Sequence, residues 1–183
     1  MNVVLCSANP GKLREMQEAL PGWSIEPLDA TEYPVEDGAT YLDNARIKAR
    51  FGREVGPPDR GMLADDSGIE LAALGGAPGV QTARWAEGRH VEKTLAALAG
   101  ATDRGARYVA ELVLLAPDGS ELRGTGVLEG TIADVPAGSG GFGFDPVLIP
   151  SGETRTVAEL GNEWKAEHSH RALAAKDLLA RFA

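Results

Sequence analysis

The sequence predicts an α/β protein, and three observations support that fold class. Residues 2–6 form a short apolar run, and a polar loop separates it from apolar residues at helical spacing, as in a strand followed by a helix. Residues 61–79 contain short apolar runs bounded by glycine, a pattern typical of buried strands. Residues 107–116 and 121–132 predict two long strands around a Pro-Asp-Gly turn.

The composition limits the possible classes of function. The 183 residues are 43% hydrophobic and 25% charged, which is ordinary for a globular protein. The net charge of −9 disfavours binding to nucleic acid or to an anionic membrane. A single cysteine, Cys6, leaves no internal disulfide and fits a reducing compartment. No apolar run is long enough to span a membrane, and no signal peptide is recognisable, so we expect a cytoplasmic protein.

The first loop is a candidate phosphate site. Ser7 to Lys12 joins the first strand to a helix that Leu13, Met16 and Leu20 define by their spacing. The start of a helix offers free backbone N–H groups and the positive end of its dipole, and Lys12 would add a full charge. The spacing differs from that of a P-loop, and Asn-Pro-Gly is also an ordinary turn, so both interpretations stand.

A second helix is predicted to begin after Thr40. Thr40 can cap it, with Asp43 at its third position, and the helix should end near residues 52–56, before two prolines. Just before it lie Glu36 and Asp37. They are either surface charge favoured by the helix dipole or oxygen ligands of a metal ion.

The stretch from Gly61 to Gly79 contains the adjacent carboxylates Asp65 and Asp66. We expect this pair where a strand ends, followed by Ser67. Adjacent carboxylates repel one another, and a divalent cation such as Mg²⁺ would relieve that repulsion. A solvated Asp-Asp-Ser-Gly turn is the simpler alternative.

Two further stretches could bind a ligand. Pro136 to Pro146 has four glycines in eleven residues, so no regular element is expected there, while Phe142, Phe144 and Asp145 supply aromatic faces and an acceptor. A flexible loop anchored by the two phenylalanines is the alternative. Near the C-terminus, three hydrogen-bond donors lie just before or at the start of a final helix. They could bind an anion or the edge of a base, or they could form a solvated basic turn. They are Lys165, His170 and Arg171.

Five motifs in order resemble the inosine triphosphate pyrophosphatase family, also called Ham1-like. They are SANPGK at 7–12, EDGATYLDNARIKA at 36–49, LADDSGIELAALGGAPGVQTARW at 63–85, GGFGFDP at 140–146, and Lys165 with SHRA at 169–172. Ser7 stands where that family commonly has Thr, and Phe144 stands where it commonly has Tyr.

The resemblance implies a single domain of residues 1–183 with an elongated, mixed and twisted β-sheet flanked by helices, in two lobes around an active-site cleft. It implies a homodimer that hydrolyses ITP, dITP or XTP to the monophosphate and pyrophosphate with Mg²⁺. It implies Asp66 as the catalytic base and Glu36 with Asp66 as metal ligands. The implied substrate contacts are Ser7, Ala8, Asn9, Pro10, Gly11, Lys12, Ser67, Phe142, Gly143, Phe144, Asp145, Lys165, His170 and Arg171.

Two other functions remain open from the sequence. A Maf-like pyrophosphatase would act on nucleotides with other modified bases. A non-catalytic nucleotide-binding protein would keep the pocket, although binding alone needs no water base such as Asp66. Charge by itself does not decide which of Asp65 and Asp66 is that base.

Overall fold

The structure is a computed structural model that describes residues 1–182, so Ala183, the last residue of the predicted domain, lies outside it. In this range the strands are β1 Asn2–Leu5, β2 Ser24–Pro27, β3 Gly61–Leu71, β4 Gly105–Leu115, β5 Glu121–Ile132 and β6 Leu148–Pro150. The helices are α1 Pro10–Ala19, α2 Tyr41–Val55, α3 Thr82–Ala86, α4 His90–Ala97, α5 Val157–His168 and α6 His170–Phe182.

The strands that the structure describes form one open sheet in the order β2-β1-β3-β4-β5-β6. β1 pairs in parallel with both β2 and β3, whereas β5 and β6 are antiparallel. The sheet is therefore mixed, which confirms the predicted fold class.

The chain divides into two compact units. Unit 1 consists of Met1–Asp66, Ala110–Gly126 and Arg171–Ala183, and unit 2 consists of Ser67–Val109 and Val127–His170. Each unit has its own buried core. The assignment of all 183 residues to a single domain stays a prediction.

Unit 1 buries two apolar layers, and the alternation of side chains along its strands separates them. On β3, Leu63 packs with residues of α1 and α6, including Met16 and Leu178. Its neighbours Met62 and Ala64 pack instead with α2. Odd and even positions of β3 thus meet different helices, which determines where its two carboxylates point.

Helix α2 begins as the sequence predicts. The Thr40 hydroxyl accepts from the Asp43 backbone N–H at 3.1 Å, and the Asp43 carboxylate accepts from the Thr40 N–H at 3.2 Å, which completes a capping box. Gly52 lets this helix approach Cys6, the residue that follows β1, because a Cβ at position 52 would lie 2.2 Å from Cys6 Sγ. The capped start and the close contact fix the helix that carries Asn44 and Lys48.

Unit 2 has a core of its own around Ile69, Leu71, Tyr108 and Phe144. The Pro-Asp-Gly turn between β4 and β5 is confirmed, with Gly119 at a φ of +87°. Helix α3 and strand β6 were not predicted, because each is short and offers little periodicity. No helix within residues 1–182 is long and apolar enough to cross a membrane.

Candidate active site

The acidic pair lies inside a strand and not at its end. Asp65 and Asp66 occupy the middle of the 11-residue β3 and are 0% and 6% exposed. The expected strand end is therefore wrong, and so is the alternative of a solvated turn. Because successive side chains of a strand point to opposite faces, the two carboxylates enter different surroundings.

Asp65 lies among basic side chains on the face shared with α1 and α6. Its Oδ2 is 2.5 Å from Lys12 Nζ and 3.3 Å from Arg171 Nε. Arg171 also donates from Nη1 to Glu15 Oε2 at 2.8 Å. Lys12 belongs to the first turn of α1 and Arg171 to that of α6, so two helix starts bring these cations to one carboxylate.

These contacts keep Asp65 ionised. Burial opposes its charge, but Arg171, Lys12 and Lys48 outweigh burial and hold the pKa of Asp65 well below its ordinary value. Burial also disfavours the charge of Arg171, yet Asp65 and Glu15 raise its pKa above the ordinary value. For Lys12, burial dominates over the attraction of Asp65 and lowers the pKa. The group is therefore a buried carboxylate with two cations that face it.

Asp66 contacts α2 on the other face. Lys48 Nζ donates to Asp66 Oδ1 at 2.8 Å and to Glu36 Oε2 at 3.0 Å. Asn44 Nδ2 donates to Asp66 Oδ2 at 3.3 Å. The Lys48 ammonium therefore bridges the Glu36 and Asp66 carboxyl groups. This arrangement brings the two predicted metal ligands together in unit 1.

The pKa values of the two carboxyl groups of this pair are shifted in opposite directions. Burial raises the pKa of Asp66 to about 6, although Lys48 works against that increase. Burial also acts on Glu36, but there Lys48 and the hydrogen bond with Asp66 prevail and lower its pKa. Two carboxyl groups around one ammonium group are oxygen donors of the kind that Mg²⁺ binds, so this pair suits Mg²⁺ chemically.

The pair is not a complete metal cage. Within the part of the chain that the structure describes, no group of three or more His, Cys, Asp or Glu side chains is arranged to hold a metal ion. Mg²⁺ typically binds through one or two carboxylates and fills its other positions with water and substrate phosphates. Glu36 and Asp66 fit that pattern, with Asp65 turned to the other face of the strand.

The first loop forms the N-terminus of α1. Asn9 Oδ1 accepts from the Gly11 N–H at 2.9 Å, so Asn9 caps the helix, with Pro10 in the first turn. Ser7 Oγ accepts from the Asn9 N–H at 3.2 Å. Ala8, Asn9 and Pro10 are exposed, so a ligand can reach the capped helix start.

Unit 2 has a second cluster, and Asp145 is at its centre. Asp145 Oδ2 accepts from Lys165 Nζ at 2.7 Å and from the Phe142 N–H at 2.8 Å, and Tyr108 OH donates to Oδ1 at 3.4 Å. Gly141, at a φ of +73°, leaves room for this carboxylate, since a Cβ there would lie 2.0 Å from Asp145 Oδ2. The glycine-rich segment is thus tied to a buried ion pair.

The aromatic residues of this segment differ in exposure. Phe144 is 4% exposed, and its ring packs edge-on against His90 at 4.8 Å between ring centres. Phe142 is 38% exposed, and Lys165 Nζ lies 4.8 Å above its ring. His170 stacks on Tyr108 at 4.6 Å. The aromatic face open to solvent is therefore that of Phe142, and the expected substrate contact of Phe144 stays a prediction.

The predicted site residues fall into two groups. Lys12, Glu36, Asp66 and Arg171 belong to unit 1, and the structure joins them through Asp65 and Lys48. The other group belongs to unit 2 and comprises Ser67 on β3, Phe142, Gly143, Phe144, Asp145, Lys165 and His170. In unit 1 the predicted residues lie around Asp65 and Asp66, whereas in unit 2 Lys165 and Phe142 bind the Asp145 carboxylate.

Sequence analysis missed four contributors to these groups, of which Asn44, Lys48 and Tyr108 are buried and Glu15 is partly buried. Glu15, Asn44, Lys48 and Tyr108 each contact a predicted site residue. Lys48 and Asn44 lie one helical turn apart on the face of α2 that meets β3, and that spacing was a usable signal. Tyr108 lies in an apolar strand pattern that gives no sign of a polar partner.

Fold and site together define a class: an α/β protein with an open mixed sheet, in which buried carboxylates of an inner strand face several cations. Comparison with known proteins is more specific. The chain belongs to the Ham1 family, whose sequence model matches residues 3–181.

Named relatives share nearly the whole chain. A dITP/XTP pyrophosphatase of Thermus thermophilus is 43% identical over 195 residues, covering 100% of this chain and 92% of the relative. The dITP/XTP pyrophosphatase of Deinococcus radiodurans is 42% identical over 185 residues, covering 97% and 91%.

Solved structures agree with the fold. The Staphylococcus aureus Ham1 protein has a TM-score of 0.85 at 32% identity, covering 100% of this chain and 98% of that one. A structure described as nucleoside-triphosphatase / dITP/XTP pyrophosphatase from Mycobacterium abscessus has a TM-score of 0.72 at 41% identity, covering 96% and 98%.

Proposed function

We propose that this protein hydrolyses the non-standard purine nucleoside triphosphates ITP, dITP and XTP to the monophosphate and pyrophosphate. The observation that carries the proposal is its near full-length similarity to proteins named dITP/XTP pyrophosphatase. The buried charged cluster of unit 1 supports it, because hydrolysis of a triphosphate needs cations for the phosphates and a base for water.

Three features of unit 1 suit a triphosphate. The capped start of α1 offers backbone N–H groups. Lys12 and Arg171 add two cations near that end of the helix, both held by Asp65. Phosphate oxygens can replace part of the contact with Asp65, because an anion satisfies the same donors. Ser7 to Lys12 and Arg171 are therefore our candidates for the phosphate contacts.

We further propose that Glu36 and Asp66 hold Mg²⁺. The support is the Lys48 ammonium, which donates to both carboxylates and shows that a cation is stable between them. The metal would supply charge stabilisation at the phosphates. Lys48 would orient both carboxylates, since it donates to each of them.

Asp66 is the better candidate for the base. Its pKa of about 6 is close to neutral pH, where a general base is most effective. Asp65 is a poor base, because Lys12 and Arg171 hold its pKa well below the ordinary value. Asp66 would take the proton of a water that attacks the α-phosphorus, and pyrophosphate would leave.

The cluster of unit 2 is our candidate for base recognition. Lys165 and His170 are donors that could bind the C6 oxygen of hypoxanthine or xanthine, whereas adenine offers an amino group there. A site that leaves its donors unpaired against adenine discriminates strongly. The exposed ring of Phe142 offers a stacking face, which tolerates any base.

The deciding experiment is hydrolysis of ITP with Mg²⁺ in H₂¹⁸O. We expect IMP and pyrophosphate in equal amounts, with ¹⁸O in the IMP phosphate. Inosine diphosphate and phosphate would contradict the proposed bond cleavage. Tight ITP binding without turnover would indicate a non-catalytic nucleotide-binding protein. A panel of ITP, XTP, GTP, ATP and pyrimidine triphosphates with modified bases separates this activity from a Maf-like one.

Two further parts of the proposal concern the protein in the cell. We infer a homodimer and a cytoplasmic location, on the strength of the family resemblance and of the single cysteine, which fits a reducing compartment. Sedimentation equilibrium tests the first, and microscopy or fractionation of the tagged full-length protein tests the second. A monomer at micromolar concentration would contradict the homodimer.

A further inference from the structure

Asn44 is a buried amide for which the proposed reaction has no stated use. It lies on the first turns of α2 and is 0% exposed. Its Nδ2 donates to Asp66 Oδ2 at 3.3 Å, and its Oδ1 accepts from the backbone N–H of Gly38 at 2.8 Å. The side chain therefore links strand β3 to the loop that carries Glu36.

The orientation of this amide follows from its partners. A backbone N–H can only donate, so Gly38 requires the oxygen of Asn44, and the NH₂ group must then face the Asp66 carboxylate. An aspartate at position 44 could accept from Gly38 but could not donate to Asp66 when ionised. An apolar side chain could do neither. Among similar side chains, asparagine alone makes both bonds at this length.

The backbone at Gly38 comes unusually close to the helix. A Cβ at this position would lie 2.7 Å from Asn44 Oδ1 and 2.7 Å from Asp43 Cβ. The loop is thus pressed onto the start of α2, with Glu36 two residues before the contact. Asn44 holds the loop at the point where Glu36 has to reach Asp66.

Donors also occupy both oxygens of Asp66. Lys48 donates to Oδ1 and Asn44 to Oδ2. Bonds to both oxygens fix the rotation of the carboxylate, so one face stays toward Glu36. A carboxylate held by Lys48 alone could turn.

We propose that Asn44 is a positioning residue that orients Asp66 and, through Gly38, sets Glu36 opposite it, so that the two carboxylates form one divalent-cation site. The expected effect of Asn44 on activity rests on the proposed function. The expected effect on metal binding does not depend on that function. Mutation of a residue that orients a metal ligand commonly lowers metal affinity or activity by about 10- to 100-fold.

The test compares Asn44→Ala and Asn44→Asp with the wild type. Asn162→Asp is the matched control, because Asn162 is an exposed helical asparagine on α5 and the charge change is the same. The first readout is binding of Mn²⁺ alone, without nucleotide, followed by the electron paramagnetic resonance signal of free Mn²⁺. The second is kcat and KM for ITP with Mg²⁺. Circular dichroism and Tm establish that each variant is folded.

We expect Asn44→Ala to weaken Mn²⁺ binding about tenfold and to lower kcat by about 10- to 100-fold, with a small change in KM. Asn44→Asp keeps the acceptor for Gly38 and adds a charge, so Mn²⁺ affinity should not fall, yet kcat should fall as in Asn44→Ala. Asn162→Asp should match the wild type.

Two results would overturn the proposal. Mn²⁺ affinity and kcat of Asn44→Ala within about twofold of the wild type would leave Asn44 a structural role only, whatever its Tm. Wild-type kcat in Asn44→Asp would mean that the donor to Asp66 has no function. If the wild type does not hydrolyse ITP but Asn44→Ala still weakens Mn²⁺ binding, the proposed function fails and the positioning of the metal site by Asn44 is supported.

Discussion

Replacing Asp65 by Asn should destabilise the protein, whereas the same replacement at the adjacent Asp66 should not. Asp65 is 0% exposed and faces Lys12 at 2.5 Å and Arg171 at 3.3 Å. Asparagine has the same shape but no charge, so both cations lose a buried counter-charge. Removing one partner of a buried ion pair costs about 3–5 kcal/mol.

The lower end of that range applies here, because Arg171 retains Glu15 at 2.8 Å. A loss of about 3 kcal/mol corresponds to a decrease in Tm of roughly 6–12 °C for a protein of this size. The measurement is Tm by differential scanning calorimetry at pH 8 in EDTA, so that no divalent cation contributes. Chemical denaturation gives an independent value of the free energy of unfolding.

Asp66→Asn is the matched control, with the same change one residue away. Burial raises the pKa of Asp66 to about 6, so at pH 8 the folded protein holds an ionised carboxylate whose charge burial disfavours. A raised pKa means that Asp66 stabilises the fold at low pH and that this contribution is lost as pH rises through about 6. Asp66→Asn removes the cost of burying that charge, and Lys48, which loses Asp66, retains Glu36 at 3.0 Å. At pH 8 the Asp66→Asn variant should therefore be at least as stable as the wild type.

The pH dependence of Asp65→Asn has the opposite sign. The folded-state pKa of Asp65 lies below its ordinary value of 3.8, so its contribution is complete above that pH and decreases as pH falls below it. The difference in Tm between wild type and Asp65→Asn should be constant from pH 6 to 8 and shrink under acid conditions. Equal decreases in Tm for the two variants, or none for Asp65→Asn, would refute this account of the acidic pair.

Further predictions concern the proposed metal pair, Lys12 and the buried Cys6. The Asp66→Asn variant should remain folded, with a kcat for ITP lower by at least about 100-fold. EDTA should abolish wild-type turnover, and added Mg²⁺ should restore it. Full activity in EDTA would contradict the metal proposal. Lys12→Ala should raise KM for ITP and also lower Tm, because Lys12 Nζ lies 2.5 Å from the buried Asp65; an unchanged KM would remove Lys12 from the phosphate contacts. Cys6 should resist iodoacetamide at pH 8 in the folded protein and react after denaturation, since the thiol is buried and its pKa is raised to about 12. The extent of alkylation is measured by mass spectrometry. Rapid alkylation of the native protein would show that β1 opens readily.

Local sequence signals determined much of the fold. The Thr40 and Asp43 pattern predicted the start of α2, because a capping box depends only on residues close in sequence. The turn at Pro117 to Gly119 predicted the connection of β4 and β5, since glycine at positive φ is a local requirement. The short elements α3 and β6 lacked such signals and depend on packing in unit 2.

For the site, the sequence by itself determined which residue types are present, and the motif order associated them with a family. It placed Asp65 and Asp66 side by side but at a strand end, because Ser67 and Gly68 after an apolar run are typical turn residues. Burial in the sheet overrides that preference, and the strand continues to Leu71.

Only the tertiary structure decided what each carboxylate does. Neighbours on a strand point to opposite faces, so Asp65 meets Lys12 and Arg171, 53 and 106 positions away, while Asp66 meets Lys48 on α2. These partners lower the pKa of one carboxyl group, whereas burial raises that of the other. Adjacent residues of the same type differ in chemistry because electrostatic energy depends on distances in space, which the order of residues along the chain does not contain.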